Sequence, residues 1–160
     1  MIPAEYDEIR PYLPEELPQV FEELIADPEF QAAMGYAFQG MPFENIAAAI
    51  RASKSNLEFQ KALVYPFLQG LLKKLSSGLT ASFENKEEIA HSLCISNHRD
   101  IIMDSAFLGI VFIENVGNTV EIAIGDNLLI RPWIKKLVRV NRSFIVQRSA
   151  SIREMLASSK

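Results

Sequence analysis

A single cysteine, Cys94, is all that the 160 residues contain. This excludes an internal disulfide framework and any cysteine-built zinc site, and it points to a reducing cytoplasm. Long apolar stretches are also missing. The longest uncharged apolar run, 106–113, falls far short of the ~20 residues that span a bilayer. The amino end, MIPAEYDEIRPYLPEEL, is acidic and lacks the basic-then-apolar pattern of a secretory signal. Glycine is sparse, and its seven positions match neither the GxGxxG nor the GxxxxGK[ST] phosphate loop. No residue spacing suggests a metal, and none is expected.

Aromatic and aliphatic side chains are plentiful. Ten Phe, four Tyr and one Trp, in a chain that is 49% hydrophobic, suffice for a folded core. Net charge is −4 but unevenly spread. Residues 1–90 hold fourteen acids and seven bases, whereas 91–160 hold six acids and nine bases. Between Asn127 and Arg153 stand Arg131, Lys135, Lys136, Arg139, Arg142 and Arg148, with no acid among them. Such asymmetry suggests an anionic partner for the second half. A small phosphorylated ligand fits better than nucleic acid, because the overall balance is acidic and no aromatics interleave the cations.

The first eighty residues predict helices punctuated by proline. Val20, Phe21, Leu24 and Ile25 recur at helical spacing after Pro14 and Pro18. Asp27-Pro28 is a cap and first turn for PEFQAAMGYAF. NIAAAIRA predicts a short helix, and 57–75 a longer one that Pro66 kinks or divides. Phe21, Phe30, Tyr36, Phe38, Phe59 and Phe67 are expected in a helix-bundle core rather than around a ligand tunnel.

The pattern changes after the polar stretch 84–88. SLCIS (92–96) predicts a buried strand with Cys94 inside it, while His91 is structural or exposed. A helix over 104–116, a strand over 120–124, a helix over 132–140, a strand over 143–147 and a helical tail follow. Strand, helix, strand, helix, strand is the order of a parallel α/β unit. The expectation is an α/β protein: a helical domain over 1–80, then a partial α/β layer over 81–160. Seventy residues are few for a whole parallel sheet, so the layer is expected to be truncated. In 132–140, Trp133, Ile134 and Leu137 should pack inward while Arg131, Lys135, Lys136 and Arg139 face out. Those cations could be solvated, wall a phosphate site, or touch a membrane surface peripherally.

The chemistry-bearing stretch is SNHRDIIMDSAFLG (96–109). It joins a predicted strand to a predicted helix, where ligand sites of open α/β sheets gather. His98 with a neighbouring carboxylate is the equipment of a general base for a hydroxyl nucleophile. A plainer reading is a helix N-terminus in which Asn97 or Asp100 caps and the other charges are solvated. A protein-kinase loop is excluded. Ser105 stands where that motif needs Asn, and the chain has neither DFG nor a glycine-rich loop.

NHRDIIMDSAFL resembles the first signature block of the glycerolphosphate acyltransferase family, and RSFIVQR (142–148), after PWIKKLVRVNR, resembles its second. The likeness covers roughly 83–149. It implies transfer of a fatty acyl group from an acyl-CoA or acyl carrier protein thioester to the hydroxyl of a glycerol-phosphate-type acceptor in phospholipid synthesis. It assigns the base to His98, its orienting carboxylate to Asp104, and acceptor-phosphate contact to Arg148, aided by Arg142 or Arg99. Three departures stand out. Five residues rather than four separate His98 from Asp104, which leaves Asp100 as an alternative orienting group. Arg142 replaces the block-two glycine. The family's third and fourth blocks do not follow, so the 160 residues are expected to be inactive alone. The competing expectation is a non-enzymatic helical binding module in which the HRD stretch only caps a helix.

Overall fold

The computed structural model describes residues 2–97 and 99–148. It is mostly helical, with a small parallel sheet. Helix α1 (Leu17–Ala26) buries Leu17, Val20, Phe21, Leu24 and Ile25, the i, i+3, i+4 pattern of one apolar stripe. Asp27 then ends α1 and starts α2 (Pro28–Ala37): its carboxylate accepts the N–H groups of Glu29 and Phe30 at 2.9 and 3.1 Å. Pro28 costs nothing there, because a first-turn residue has no intrahelical acceptor for its missing N–H. Helix α3 (Phe43–Ala52) turns Ile46, Ala47 and Ile50 inward.

The segment expected at 57–75 is a continuous helical run: α4 (Asn56–Phe59), a π-helical turn (Gln60–Val64) and α5 (Tyr65–Leu75). Pro66 is the second residue of α5, directly after the wide turn. A proline has no N–H to donate, and its ring crowds the carbonyl four residues back. The π turn supplies the local widening. Across α1, α2 and α3, Leu24, Phe30, Ile46 and Ile50 reach zero exposure, and Leu63 of the π turn joins the same core. Each buried side chain of this size contributes roughly 1.5–3 kcal/mol of transfer free energy.

Helix α6 (Met103–Val116) ends at Gly117, whose φ of 76° lets its N–H return to the carbonyls of Phe112 and Ile113. Strand β1 (Ile122–Gly125), helix α7 (Pro132–Val140) and strand β2 (Ser143–Val146) then form a βαβ unit. The strands pair in parallel, with Ile122 opposite Ser143 and Gly125 opposite Val146. Ile145 donates its N–H to the Ile9 carbonyl at 2.8 Å, so the amino-terminal segment covers the outer edge of β2.

The core crosses the boundary expected near residue 80. Val140, fully buried, belongs to the same cluster as Leu17, Phe21 and Ile50, with Trp133 and Leu137 packed against it. The α/β unit is therefore seated on the helices by α7. Arg139 departs from the expected outward cationic face. It is only 4% exposed. Its guanidinium donates to the Arg10 carbonyl at 2.7 Å and to the Asp7 carbonyl, and it lies 3.9 Å from the centre of the Tyr12 ring. A planar, five-donor cation can be buried on carbonyls and a ring face at far lower cost than an ammonium group.

Three further expectations are corrected. Residues 92–96 carry no strand, and Leu93 and Ile95 are 87% and 88% exposed. Cys94 is exposed rather than buried, because among the described residues nothing pairs with or covers its segment. Tyr36, expected in the core, is 80% exposed; α2 presents only Phe30 to the centre of the bundle. The helical tail expected after residue 148 lies outside the described residues.

Candidate active site

The stretch 96–109 is organised by two aspartates. Asp100 Oδ1 accepts the N–H groups of Ile102 and Met103 at 2.9 and 2.7 Å, capping α6. Asp104, in the first turn, reaches back, and its Oδ2 accepts the N–H groups of Arg99 and Asp100 at 2.6 and 2.9 Å. The arrangement is reciprocal, like a capping box: each aspartate satisfies amides that the helix start leaves without partners. A negative charge here also faces the positive end of the α6 dipole. Asp100 thus braces the turn that enters α6, two residues before its N-cap position at Ile102. At the same time the Asp104 carboxylate is held against the loop that carries the candidate base. His98 itself lies outside the described residues. Ser105 donates its hydroxyl to the Ile102 carbonyl at 3.1 Å, a backbone role. His91 is exposed at the end of a 3-10 turn (Ile89–His91).

The proposed substrate arginines do not converge. Arg142 precedes β2 and Arg148 follows it, so the four residues of that strand, about 13 Å of extended chain, lie between them. Arg142 is the only described non-glycine residue with positive φ, at 60°. Its guanidinium donates to Asn118 Oδ1 at 2.5 Å and Thr119 Oγ1 at 3.3 Å and stands 3.7 Å from the Glu121 carboxylate. These partners flank the amino end of β1. Arg148 is exposed at the carboxyl end of β2, where its N–H is received by Asp126 Oδ1 at 2.9 Å. Its side chain crosses Gly125. A Cβ at that glycine would lie 3.0 Å from the Arg148 Cδ and 2.5 Å from Asn127 Oδ1. Arg99 is exposed near the amino end of α6 and contributes a backbone N–H to Asp104.

Two features escaped the sequence reading. One is a buried polar knot at the π turn. Gln60 donates to the Asn141 carbonyl at 3.1 Å and its side-chain oxygen at 3.0 Å, and receives the Thr119 hydroxyl at 2.6 Å. It ties three segments far apart in sequence, so no local pattern announces it. The other is an apolar cavity of about 340 Å³ lined by Phe38, Leu63, Phe67, Gly109, Ile110 and Ile122. Ile102 and Ser105, from the start of α6, also line it. Its size lies within the range of small-ligand cavities. Of the six aromatics assigned to the core, Phe21 and Phe30 pack there and Phe38 and Phe59 border both regions, whereas Phe67 walls the cavity.

Electrostatically, four of the six cations of the basic segment are engaged with the chain's own amino-terminal half. Arg131 meets Glu29 at 2.8 Å, Lys135 meets Glu8 at 2.9 Å, and Lys136 meets Glu23 at 2.7 Å, while Arg139 is buried on carbonyls. The hydrogen bond from Lys135 holds the Glu8 carboxyl below its ordinary value, and Lys136 does the same for Glu23. Among the described residues, no helix is long and apolar enough to cross a membrane, and no cluster of three or more His, Cys, Asp or Glu could hold a metal ion. Comparison with models of protein families, with curated proteins and with solved structures found no match.

Proposed function

We propose that the chain carries part of an acyltransferase that moves a fatty acyl group from a CoA or carrier-protein thioester to the hydroxyl of a glycerol-phosphate-type acceptor. The observation that carries this reading is the backbone at Arg142. The acyltransferase pattern calls for glycine there, and this arginine adopts the left-handed conformation that glycine adopts freely. Three other features support it. The Asp104 carboxylate is turned onto the backbone next to His98. An apolar cavity opens to the first turn of α6 and suits a hydrocarbon chain. Arg148 stands exposed at the carboxyl end of a parallel strand, the usual place for phosphate recognition in such sheets. In this mechanism His98 removes the proton from the acceptor hydroxyl as its oxygen attacks the thioester carbonyl. The new C–O bond forms, the C–S bond breaks, and the proton passes from the imidazolium to the leaving thiolate. Arg142, tied to the amino end of β1, is assigned a structural role instead of a phosphate contact. Contact with a membrane surface would have to use residues other than the paired cations of α7.

Release of free thiol from a long-chain acyl thioester, with glycerol 3-phosphate as acceptor, measured on the full-length protein that contains these residues, tests the assignment. His98→Ala should lower the rate by ~100-fold or more, the usual contribution of a general base. Equal turnover in the two proteins, with unchanged circular dichroism, would discard the catalytic role.

A second reading is favoured by the capping geometry. If Asp100 and Asp104 serve only α6, the chain is a helical binding module, and His98→Ala changes neither thioester turnover nor folding.

A further inference from the structure

Strand β1 has one satisfied edge and one open edge. In the observed register, Ile122 and Ile124 direct their backbone groups toward β2, the Ile122 N–H reaching the Arg142 carbonyl at 3.1 Å. The N–H and C=O groups of Ala123 must then point away from β2. Among the described residues they have no backbone partner. An open edge on a parallel sheet is a template for another strand.

Residues 92–96 supply one. Leu93 and Ile95 alternate with polar or small neighbours and are almost fully exposed, an arrangement that leaves two large aliphatic side chains in water. The connection is right for a parallel crossover: 92–96, then α6, then β1. Right-handed crossovers progressing in one direction across a sheet place their helices on the same face. Both helices meet that condition, since the cavity beside Ile122 of β1 is walled by Ile110 of α6 and Leu137 of α7.

We propose that residues 92–96 dock as a third parallel strand on the open edge of β1, with Leu93, Cys94 and Ile95 level with Ile122, Ala123 and Ile124. Leu93 and Ile95 then face α6 and α7 and leave solvent, and Cys94 lies beside Ala123 on the opposite face. The Ala123 N–H donates to the Leu93 carbonyl, and the Ile95 N–H to the Ala123 carbonyl. Docking also sets the carboxyl end of the new strand, at Asn97, beside that of β1. It brings the 96–104 stretch within about two strand spacings, roughly 10 Å, of the end of β2 that carries Arg148. Site assembly is thereby coupled to strand addition. The docking itself does not depend on acyl transfer.

The lone cysteine makes the test direct. Ala123→Cys would put two cysteines level on neighbouring strands, their Cα atoms about 4.8 Å apart, inside the Cα–Cα range of a disulfide. Phe144→Cys is the control: its position is level with Ala123 but one strand further, beyond disulfide reach. Under mild oxidation, non-reducing intact mass should show an intramolecular disulfide in Ala123→Cys and none in Phe144→Cys. In the unsubstituted protein, the Ile95 and Ala123 amides should exchange hydrogen at least ~10-fold more slowly than the Cys94 amide, which points off the sheet. Equal cross-linking in both variants, only dimeric disulfides, or Ile95 and Ala123 exchanging as fast as Cys94, would overturn the proposal.

Discussion

Arg142 shows how one residue can carry two opposing terms. A left-handed conformation costs an L-residue roughly 1–2 kcal/mol, while its guanidinium gains Asn118, Thr119 and Glu121 as partners. Replacing it with alanine removes the partners and keeps the strain; replacing it with glycine removes both. Glycine loses more conformational entropy on folding, which offsets part of the relief. Arg142→Gly should therefore be more stable than Arg142→Ala by about 1 kcal/mol in urea denaturation. Equal midpoints would show that the positive φ is not a source of strain. The sequence suggested a special position here through the missing glycine, but assigned its cation to phosphate. Only the fold shows that the side chain is tied to the amino end of β1.

At the scale of elements, α6 joins the candidate site to the cavity. Its start is organised by Asp100 and Asp104, and one side of it, through Ser105, Gly109, Ile110 and Ile113, lines the apolar space. Gly109 has nothing within 4 Å of where a Cβ would be, so a larger side chain there can enter the cavity without first displacing a neighbour. Gly109→Phe should reduce binding of a fluorescent long-chain acyl thioester by at least ~10-fold while preserving helicity, since a cavity ligand depends on buried apolar contact. Unchanged binding would place the acyl chain elsewhere. Element types in the second half were readable because their periodicities differ: 132–140 matched α7, and the two strands were found within two residues of their ends. The segment 92–96 was misjudged for a physical reason. An alternating apolar run specifies what can become a strand, and pairing requires an edge that is reached only through tertiary placement.

Across the whole molecule, the charge asymmetry is resolved internally. The acidic amino-terminal half and the basic segment 131–139 meet across α7, so much of the positive field that suggested an external anion is neutralised by Glu8, Glu23 and Glu29. Glu16 is held below the usual carboxylate range by the Arg10 guanidinium, and Glu22 by Arg51. A carboxyl whose folded pKa is lowered binds protons more weakly folded than unfolded. Its contribution is present above the unfolded value, about 4.3, and is lost as pH falls through the folded one. Thermal unfolding should thus show a midpoint that is steady near neutrality and declines below about pH 4.3. Glu16→Gln should shrink that decline. A midpoint that stays level or rises into acid would contradict the pairing of these groups.

What the sequence determined alone was local: proline and aspartate punctuation of α1 and α2, the apolar stripes, the βαβ order, and a histidine–aspartate stretch at a helix start. Those follow from side-chain period and from which backbone groups a helix end leaves unsatisfied. What only the tertiary structure decided was pairing. It buried Arg139, matched the cations of the 131–136 stretch to the amino-terminal acids, formed the Gln60 knot and opened the cavity between α5, α6 and α7. Each depends on residues tens of positions apart meeting in space. Their energies reside in burial and partner geometry, which the linear order of the chain does not carry.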